Sequence, residues 1–222
     1  MDVSIFDLDR TLTKVATYTP FLIFAALHRA PWRLVLLPLW VVAMIAHALG
    51  AVSRKSLKEF GFLLMIGRRV KSDDMALLGQ RFAAFMLARN ILPAARRHLE
   101  AERKRGALLM LATAAPDYYA EALGRMLGFD VVVATRQHRA PQGHYTHRIE
   151  GDNCYGATKR LMVEAACHAD PRLHAARQIS FYSDSSSDAP MFDWAKRCFA
   201  VNPSRRLRKL AGERGWAILD FA

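Results

Sequence analysis

The chain has 222 residues, of which 52% are hydrophobic and 23% charged, a composition that excludes a disordered protein and allows a substantial core. Its formal net charge of +12 predicts an anionic partner, whether nucleic acid, lipid headgroup or phosphorylated substrate. The first residues lack a basic segment followed by an apolar one, so we expect no cleaved secretory signal and a cytoplasmic body.

The first predicted element is a short buried strand, Val3 to Phe6, that leads into two acids. Asp7 and Asp9 are separated by one residue, so in an extended chain their side chains lie on the same side while Leu8 points away. Two like charges held together repel each other, which lowers stability unless a cation is bound or one carboxyl stays protonated. We therefore expect a functional site at the end of this strand.

The next segment, from Val15 to about Arg105, shows helical periodicity. Within it, Leu34 to Val52 contains no Asp, Glu, Lys or Arg over 19 residues, which is long enough for a transmembrane candidate. We instead predict a helical hairpin, residues 18–30 and 31–50, that lies in or dips into the inner leaflet of the membrane. Apolar helices that pack on one another, or in a dimer, are the alternative.

Basic residues beside this hairpin are expected to meet anionic headgroups. They are Arg54, Lys55, Lys58, Arg68, Arg69 and Lys71.

Strand and helix patterns alternate from Gly106 to the end of the chain, which predicts a parallel sheet with helices on both faces. The expected strands are residues 107–113, 129–135, 178–184, 198–202 and 216–221, with a short hairpin arm at 143–151. The first strand must join this sheet to be buried. The fold class is therefore α/β, with a Rossmann-like core from residues 1–14 and 100–222 and an inserted all-helical cap from residues 15–99.

Polar residues fall where several of these strands end, and ligands of open parallel sheets bind at such ends. They are Asp7, Asp9, Thr113 and Asp184, joined by Asp188 and by Lys159 on the preceding helix. Carboxylate oxygens suit Mg²⁺, and a carboxylate can also attack phosphorus to form an aspartyl-phosphate. Lys159 and Thr113 would neutralise and position the transferred group. The combination predicts phosphoryl transfer.

These residues resemble the four motifs of haloacid dehalogenase superfamily phosphatases of subfamily IB: residues 7–11 (DLDRT), Thr113, Lys159 and residues 183–188 (SDSSSD). The resemblance runs from about residue 3 to residue 202 apart from the insertion, and it implies the fold of that superfamily with a type-1 cap.

The resemblance also implies a role for each residue, with Mg²⁺ as the cofactor. Asp7 would be the nucleophile and a metal ligand. Asp9 would protonate the leaving oxygen and then activate water, while its backbone carbonyl binds the metal. Thr113 and Lys159 would bind phosphoryl oxygens, and Asp184 and Asp188 would complete the metal site.

The chain departs from the superfamily pattern at two places. Ser183 replaces the usual glycine before the metal-binding acid, which removes no ligand. Thr113-Ala114-Ala115 stands where phosphoserine phosphatases tend to carry Ser-Gly-Gly, which argues against phosphoserine as the substrate.

The apolar insertion, with residues 35–40 (VLLPLW) and 182–190 (YSDSSSDAP), is similar to the bacterial phosphatidylglycerophosphatase C family. This similarity implies a lipid phosphomonoester such as phosphatidylglycerophosphate, hydrolysed at the cytoplasmic face of the inner membrane. One alternative is a cytoplasmic phosphatase of a small metabolite, such as phosphoserine. Another is a non-catalytic protein that binds through its basic segment at residues 203–215, although we expect no specific nucleic-acid partner.

Overall fold

The computed structural model describes residues 2–222. The strands are β1 (Asp2–Phe6), β2 (Arg69–Lys71), β3 (Leu108–Pro116), β4 (Val131–Thr135), β5 (Gln137–Ala140), β6 (His144–Ile149), β7 (Gln178–Ser183), β8 (Arg197–Val201) and β9 (Ala217–Leu219). The α-helices are α1 (Tyr18–Arg29), α2 (Leu37–Ala48), α3 (Arg54–Met65), α4 (Ser72–Arg89), α5 (Pro93–Lys104), α6 (Asp117–Leu127), α7 (Ala157–Ala169), α8 (Pro171–His174), α9 (Ala189–Trp194) and α10 (Arg205–Arg214). Turns of 3₁₀ helix span Pro31–Leu36 and Ser186–Asp188.

The central sheet has six strands in the order β4-β3-β1-β7-β8-β9, and every pairing in it is parallel. Strand β1 lies inside the sheet because it is apolar on both faces. Val3 and Ile5 belong to one hydrophobic cluster, whereas Phe6 belongs to the cluster on the other side. The predicted α/β fold, a parallel sheet flanked by helices, is confirmed.

A smaller antiparallel sheet of three strands, in the order β2-β6-β5, lies outside the central one. The hairpin of β5 and β6 corresponds to the predicted arm, but β2 was not predicted, because three residues carry too little periodicity. Helix α3 is bound to this hairpin, since Glu59 accepts hydrogen bonds from the Arg148 side chain at 2.9 Å and from the Ile149 backbone at 3.0 Å.

The helices α1 to α4 all lie between β1 and α5 in the chain. The predicted boundary between residues 99 and 100 falls inside α5, which is continuous from Pro93 to Lys104. Helix α5 packs beside β3, and its Glu102 accepts a hydrogen bond from Ser4 of β1 at 2.7 Å. The division into a core and a cap stays a prediction, and α5 lies against the sheet on both sides of the expected boundary.

The two helices of the predicted hairpin differ in burial. Helix α1 packs into the main core through Phe21, Leu22, Ala25 and Ala26, so it is not free to enter a leaflet as expected. Helix α2 has one buried residue, Trp40. In the described chain, the segment Pro31–Ala48 is the one helical stretch long and apolar enough to cross a membrane by length and composition, and 6% of it is buried.

Helix α4 makes a close approach to α6 at Gly79. A Cβ at Gly79 would lie 1.9 Å from the carbonyl oxygen of Tyr118, which is a backbone atom and cannot rotate away. The absence of a side chain at this position therefore sets the distance between the two helices.

We expect Gly79→Ala to lower the free energy of unfolding by about 1–3 kcal/mol or more, because the helices must separate to admit the methyl group. Gly212→Ala is the matched control: Gly212 is exposed in α10, and its Cβ would meet nothing within 4 Å. There the substitution should raise stability by about 0.5–1 kcal/mol through helix propensity. Urea denaturation measures both, and equal effects would contradict the close packing of α4 and α6.

Candidate active site

The site lies at the carboxyl edge of the central sheet, where β1 is flanked by β3 and β7. Asp7 follows β1 directly, and its backbone N–H donates to the Tyr182 carbonyl at 2.9 Å, which extends the pairing with β7 by one residue. Asp7 and Asp9 line the same pocket, of about 300 Å³, together with Lys159, Asp184 and Asp188. Five of the six predicted site residues therefore meet at one place.

The centre of the site is the ammonium group of Lys159. Its Nζ lies 2.8 Å from Asp7 Oδ1 and 2.8 Å from Asp188 Oδ2, and the lysine side chain is 2% exposed. Burial alone lowers the pKa of Lys159, but the carboxylates of Asp188 and Asp7 outweigh it and raise that pKa, so the lysine stays charged. Ser183 donates to the same Asp188 oxygen at 2.7 Å.

The acids outnumber the cations that contact them. Burial raises the pKa of Asp7 to about 7 although Lys159 opposes the shift, and Asp188 and Asp184 raise it further. Burial likewise raises the pKa of Asp184 to about 6, with Asp188 adding to the effect. The ammonium of Lys159 alone therefore does not neutralise the carboxyl groups of Asp7, Asp184 and Asp188 at this edge of the sheet.

A divalent cation fits this arrangement. Asp188 Oδ1 is buried and has no hydrogen-bond partner among the described residues. Across residues 2–222, no three His, Cys, Asp or Glu side chains form a ready metal cluster. Magnesium is commonly held by one or two carboxylates while it keeps several waters, so such a cluster is not required.

Asp9 is fixed by the start of the helical segment. Its Oδ1 accepts from the Thr17 backbone N–H at 2.8 Å, and the Thr17 hydroxyl is 2.9 Å from the Tyr119 hydroxyl of α6. Burial raises the pKa of Asp9, while the hydrogen bonds from Thr17 lower it. The raised pKa favours the protonated carboxyl that a general acid requires.

Thr113 differs from the other predicted residues. Its hydroxyl accepts from the Ala115 backbone N–H at 3.0 Å, the residue is almost completely buried, and Ala114 instead lines the pocket. Its phosphate-binding role stays a prediction. The hydroxyl of Thr11 occupies a more central position, because it lies 3.5 Å from Asp7 Oδ2 and accepts from the Asp184 backbone N–H at 3.0 Å.

Sequence reasoning missed two residues of α3 that reach the site. Arg54 lines the pocket, and its guanidinium carbon lies 4.0 Å from the ring centre of Tyr155, which also lines it. Lys58 donates to the Ala114 carbonyl and, at 2.6 Å, to Asn153 Oδ1. Arg54 and Lys58 are four residues apart, which places them on one face of α3; this spacing was the sequence signal that could have paired them.

Lys58 was expected to meet lipid headgroups, and that expectation is wrong because the residue is buried between α3 and the core. Burial lowers its pKa to about 7, although Asp9 opposes the shift.

The fold is a Rossmann-like parallel sheet with an acid pair at the end of β1. The chain belongs to the haloacid dehalogenase-like hydrolase family, whose sequence model matches residues 5–193.

The comparisons with individual proteins agree with this family. Phosphoserine phosphatase SerB1 of Mycobacterium tuberculosis is 30% identical over 224 residues, which is 97% of this chain and 70% of that protein. The chain spans between 33% and 79% of the lengths of the curated relatives that it matches.

Solved structures show the same fold. A protein of unknown function from Bordetella pertussis superposes with a TM-score of 0.88 at 24% identity, over 100% of this chain and 99% of the other. A phospho-aspartyl intermediate analogue of phosphoserine phosphatase has a TM-score of 0.63 at 14% identity, covering 100% and 93%. The prediction of an enzyme of the hydrolase class is confirmed, and its relatives include phosphatases.

We expect Lys159→Met to destabilise the protein strongly in buffer with a metal chelator, by about 3–5 kcal/mol, because it leaves Asp7 and Asp188 buried without their shared cation. Lys209→Met is the control, since Lys209 is exposed and its ion pair with Glu213 is 3.9 Å long. That change should alter the free energy of unfolding by less than about 1 kcal/mol. Thermal or urea unfolding gives the comparison, and a Lys159 variant as stable as the control would refute the central role of this ammonium.

Proposed function

We propose that the protein hydrolyses phosphomonoesters through a covalent phosphate on Asp7. The observation that carries this proposal is the contact of the buried Asp7 carboxylate with Lys159, in a pocket that also contains Asp9. A carboxylate nucleophile beside a second, protonatable carboxyl is the pairing that two-step phosphoryl transfer requires.

The first step forms a bond between Asp7 oxygen and phosphorus while the bond from phosphorus to the ester oxygen breaks. Asp9 gives its proton to the departing alkoxide, so the alcohol leaves neutral. The charged Lys159 ammonium keeps Asp7 oriented and attracts the negative phosphoryl oxygens. Because Thr17 holds Asp9 Oδ1, the direction of the proton donor is set by the backbone at the start of the insertion.

The second step returns the enzyme to its starting state. Asp9, now ionised, accepts a proton from water as the water oxygen attacks phosphorus. The bond between phosphorus and Asp7 then breaks, which releases inorganic phosphate and restores the carboxylate. Both steps use the same two acids in exchanged roles.

Magnesium is the cofactor that we propose for this site. The carboxylates of Asp7 and Asp184 and the backbone carbonyl of Asp9 would hold the ion, and the unpartnered oxygen of Asp188 would support it. When bound, Mg²⁺ would neutralise part of the negative charge on the phosphoryl oxygens.

For the substrate, we favour a small soluble phosphomonoester of the phosphoserine type. A relative named phosphoserine phosphatase aligns with 97% of the chain, and a pocket of about 300 Å³ has the size for a small molecule. Arg54 at the pocket wall suits an anionic compound. Because Thr113-Ala114-Ala115 differs from the Ser-Gly-Gly of phosphoserine phosphatases, the alcohol that is released need not be serine itself.

A lipid phosphate such as phosphatidylglycerophosphate is the second candidate. The observation in its favour is the exposed apolar surface of α2, close in the chain to Arg54. The non-catalytic alternative is set aside by membership of a hydrolase family.

Asp7→Asn should reduce the release of phosphate from p-nitrophenyl phosphate by about three orders of magnitude or more, because an amide is a poor nucleophile. Asp193→Asn is the control; its partner is Arg214 at the surface, at 3.2 Å, and activity should stay unchanged. The assay contains added Mg²⁺ and measures single-turnover rates. Wild-type rates in the Asp7 variant would disprove its role as the nucleophile.

A substrate panel separates the two candidate classes. We expect kcat/KM for phosphoserine and related small phosphates to exceed that for phosphatidylglycerophosphate in detergent micelles by at least about tenfold, since a pocket of about 300 Å³ has room for only the head of a lipid. Malachite green detects the phosphate in both cases. A reversed order would favour the lipid phosphate, and parallel loss of both activities in the Asp7 variant assigns them to one site.

A further inference from the structure

We propose that the exposed apolar face of the segment Pro31–Leu49 docks the protein on an anionic membrane surface. The docking face consists of Trp32, Val35, Leu39, Val42, Ile45 and Leu49. This inference concerns where the enzyme sits, and it holds whether the substrate is soluble or lipid.

The docking face is continuous and apolar. Val35, Leu39, Val42, Ile45 and Leu49 recur at intervals of three and four residues, which places them on one side of the helical segment. Their exposure is high, at 73% for Val35, 62% for Val42 and 80% for Leu49. A contiguous apolar surface of this kind on a soluble domain indicates an interaction site.

The opposite side of α2 holds the helix in place. Trp40 is buried against Gly61 of α3, where an added Cβ would lie 2.7 Å from the indole ring. Thr19 and Tyr18 of α1 also contact this side, through Met44 and Trp40. The helix is therefore fixed with its other face outward, and no rearrangement is needed to present it.

The charge around the docking face selects an anionic partner. Residues 10–58 contain no Asp or Glu, and they carry six Lys or Arg residues besides the buried Lys58. Arg33 binds the carbonyls of Leu63 and Leu64 at the far end of α3, and the exposed Arg68 follows that end. Arg54 and Lys55 begin α3 at the other end. Basic side chains therefore lie near both ends of the apolar face, as anionic headgroups require.

A membrane fits this face better than a second copy of the chain. Two copies that met through it would bring their basic ends near each other, and like charges across an interface are unfavourable. Of its six positions only Trp32 carries a hydrogen-bonding group, the indole N–H, so the face offers few polar contacts for recognition of a specific protein. Exposed Trp32 suits the boundary between headgroups and acyl chains.

Docking would bring the membrane close to the active-site pocket. The chain from Leu49 leads directly to Ser53, which caps α3, and then to Arg54, which lines the pocket. His47 Nδ1 is 2.7 Å from the Val52 carbonyl oxygen, which holds this connection to the end of α2. The same end of the molecule therefore carries the edge of the docking face and one wall of the pocket.

Vesicle flotation tests the proposal with the full chain. Wild type should float with vesicles of phosphatidylcholine mixed with phosphatidylglycerol, and binding to phosphatidylcholine alone should be at least about tenfold weaker. The double variant Val42→Asp, Ile45→Asp should lose binding to the mixed vesicles by at least about tenfold, while its kcat/KM for p-nitrophenyl phosphate stays unchanged.

Leu161→Asp is the matched control, because Leu161 of α7 is 62% exposed and lies outside the docking face. It should bind vesicles like wild type.

The proposal is overturned if wild type does not float, if the double variant floats equally well, or if the control loses binding to the same extent. A dimer that sedimentation velocity shows for wild type, dissolved by the double substitution and with no vesicle binding, would assign the face to self-association instead. Failure of the phosphatase assay leaves the flotation result interpretable, since flotation requires no turnover.

Discussion

The ammonium of Lys159, held between Asp7 and Asp188, is the interaction on which the site depends. The three side chains come from residues far apart in the chain, and all of them are nearly inaccessible to water. Carboxylates buried this close repel one another, so the cation is what allows the ends of β1 and β7 to carry acids side by side. The parallel order of the sheet, with β1 between β3 and β7, provides the common edge at which this is achieved.

Hydrogen bonds couple the helical segment to Asp9 and to the end of β3. Thr17, just before α1, binds Asp9, and Lys58 of α3 binds the Ala114 carbonyl beside Thr113. A displacement of these helices would therefore change the surroundings of Asp9, the proposed proton donor, and of the end of β3 together. Because the buried Lys58 lies near Asp9, with a pKa that burial lowers to about 7, the helices also contribute a titratable group to the site. The helical segment therefore affects the electrostatics of the pocket as well as forming part of its wall.

The sequence was sufficient for the features that depend on local pattern. Alternation of apolar runs and helical spacing predicted the parallel sheet, and strand ends predicted that Asp7, Asp9, Asp184 and Asp188 would share one edge. The features it missed depend on packing between distant segments. Burial of Lys58 results from α3 lying against Ala114 and Asn153, the burial of α1 from its contacts with α4 and α6, and β2 from its pairing with β6. No periodicity within one segment encodes such contacts.

Trp40 is the one buried side chain of α2, and its ring packs against Gly61 of α3, where there is no room for a Cβ. Leu37, Ala43 and Met44 also pack against the core, but the exposed positions of the helix can vary in sequence with little effect on it. In evolutionary terms, substitutions at these exposed positions can make α2 more polar or more apolar without altering the active site, so under the docking we propose, membrane attachment can be gained or lost independently of catalysis.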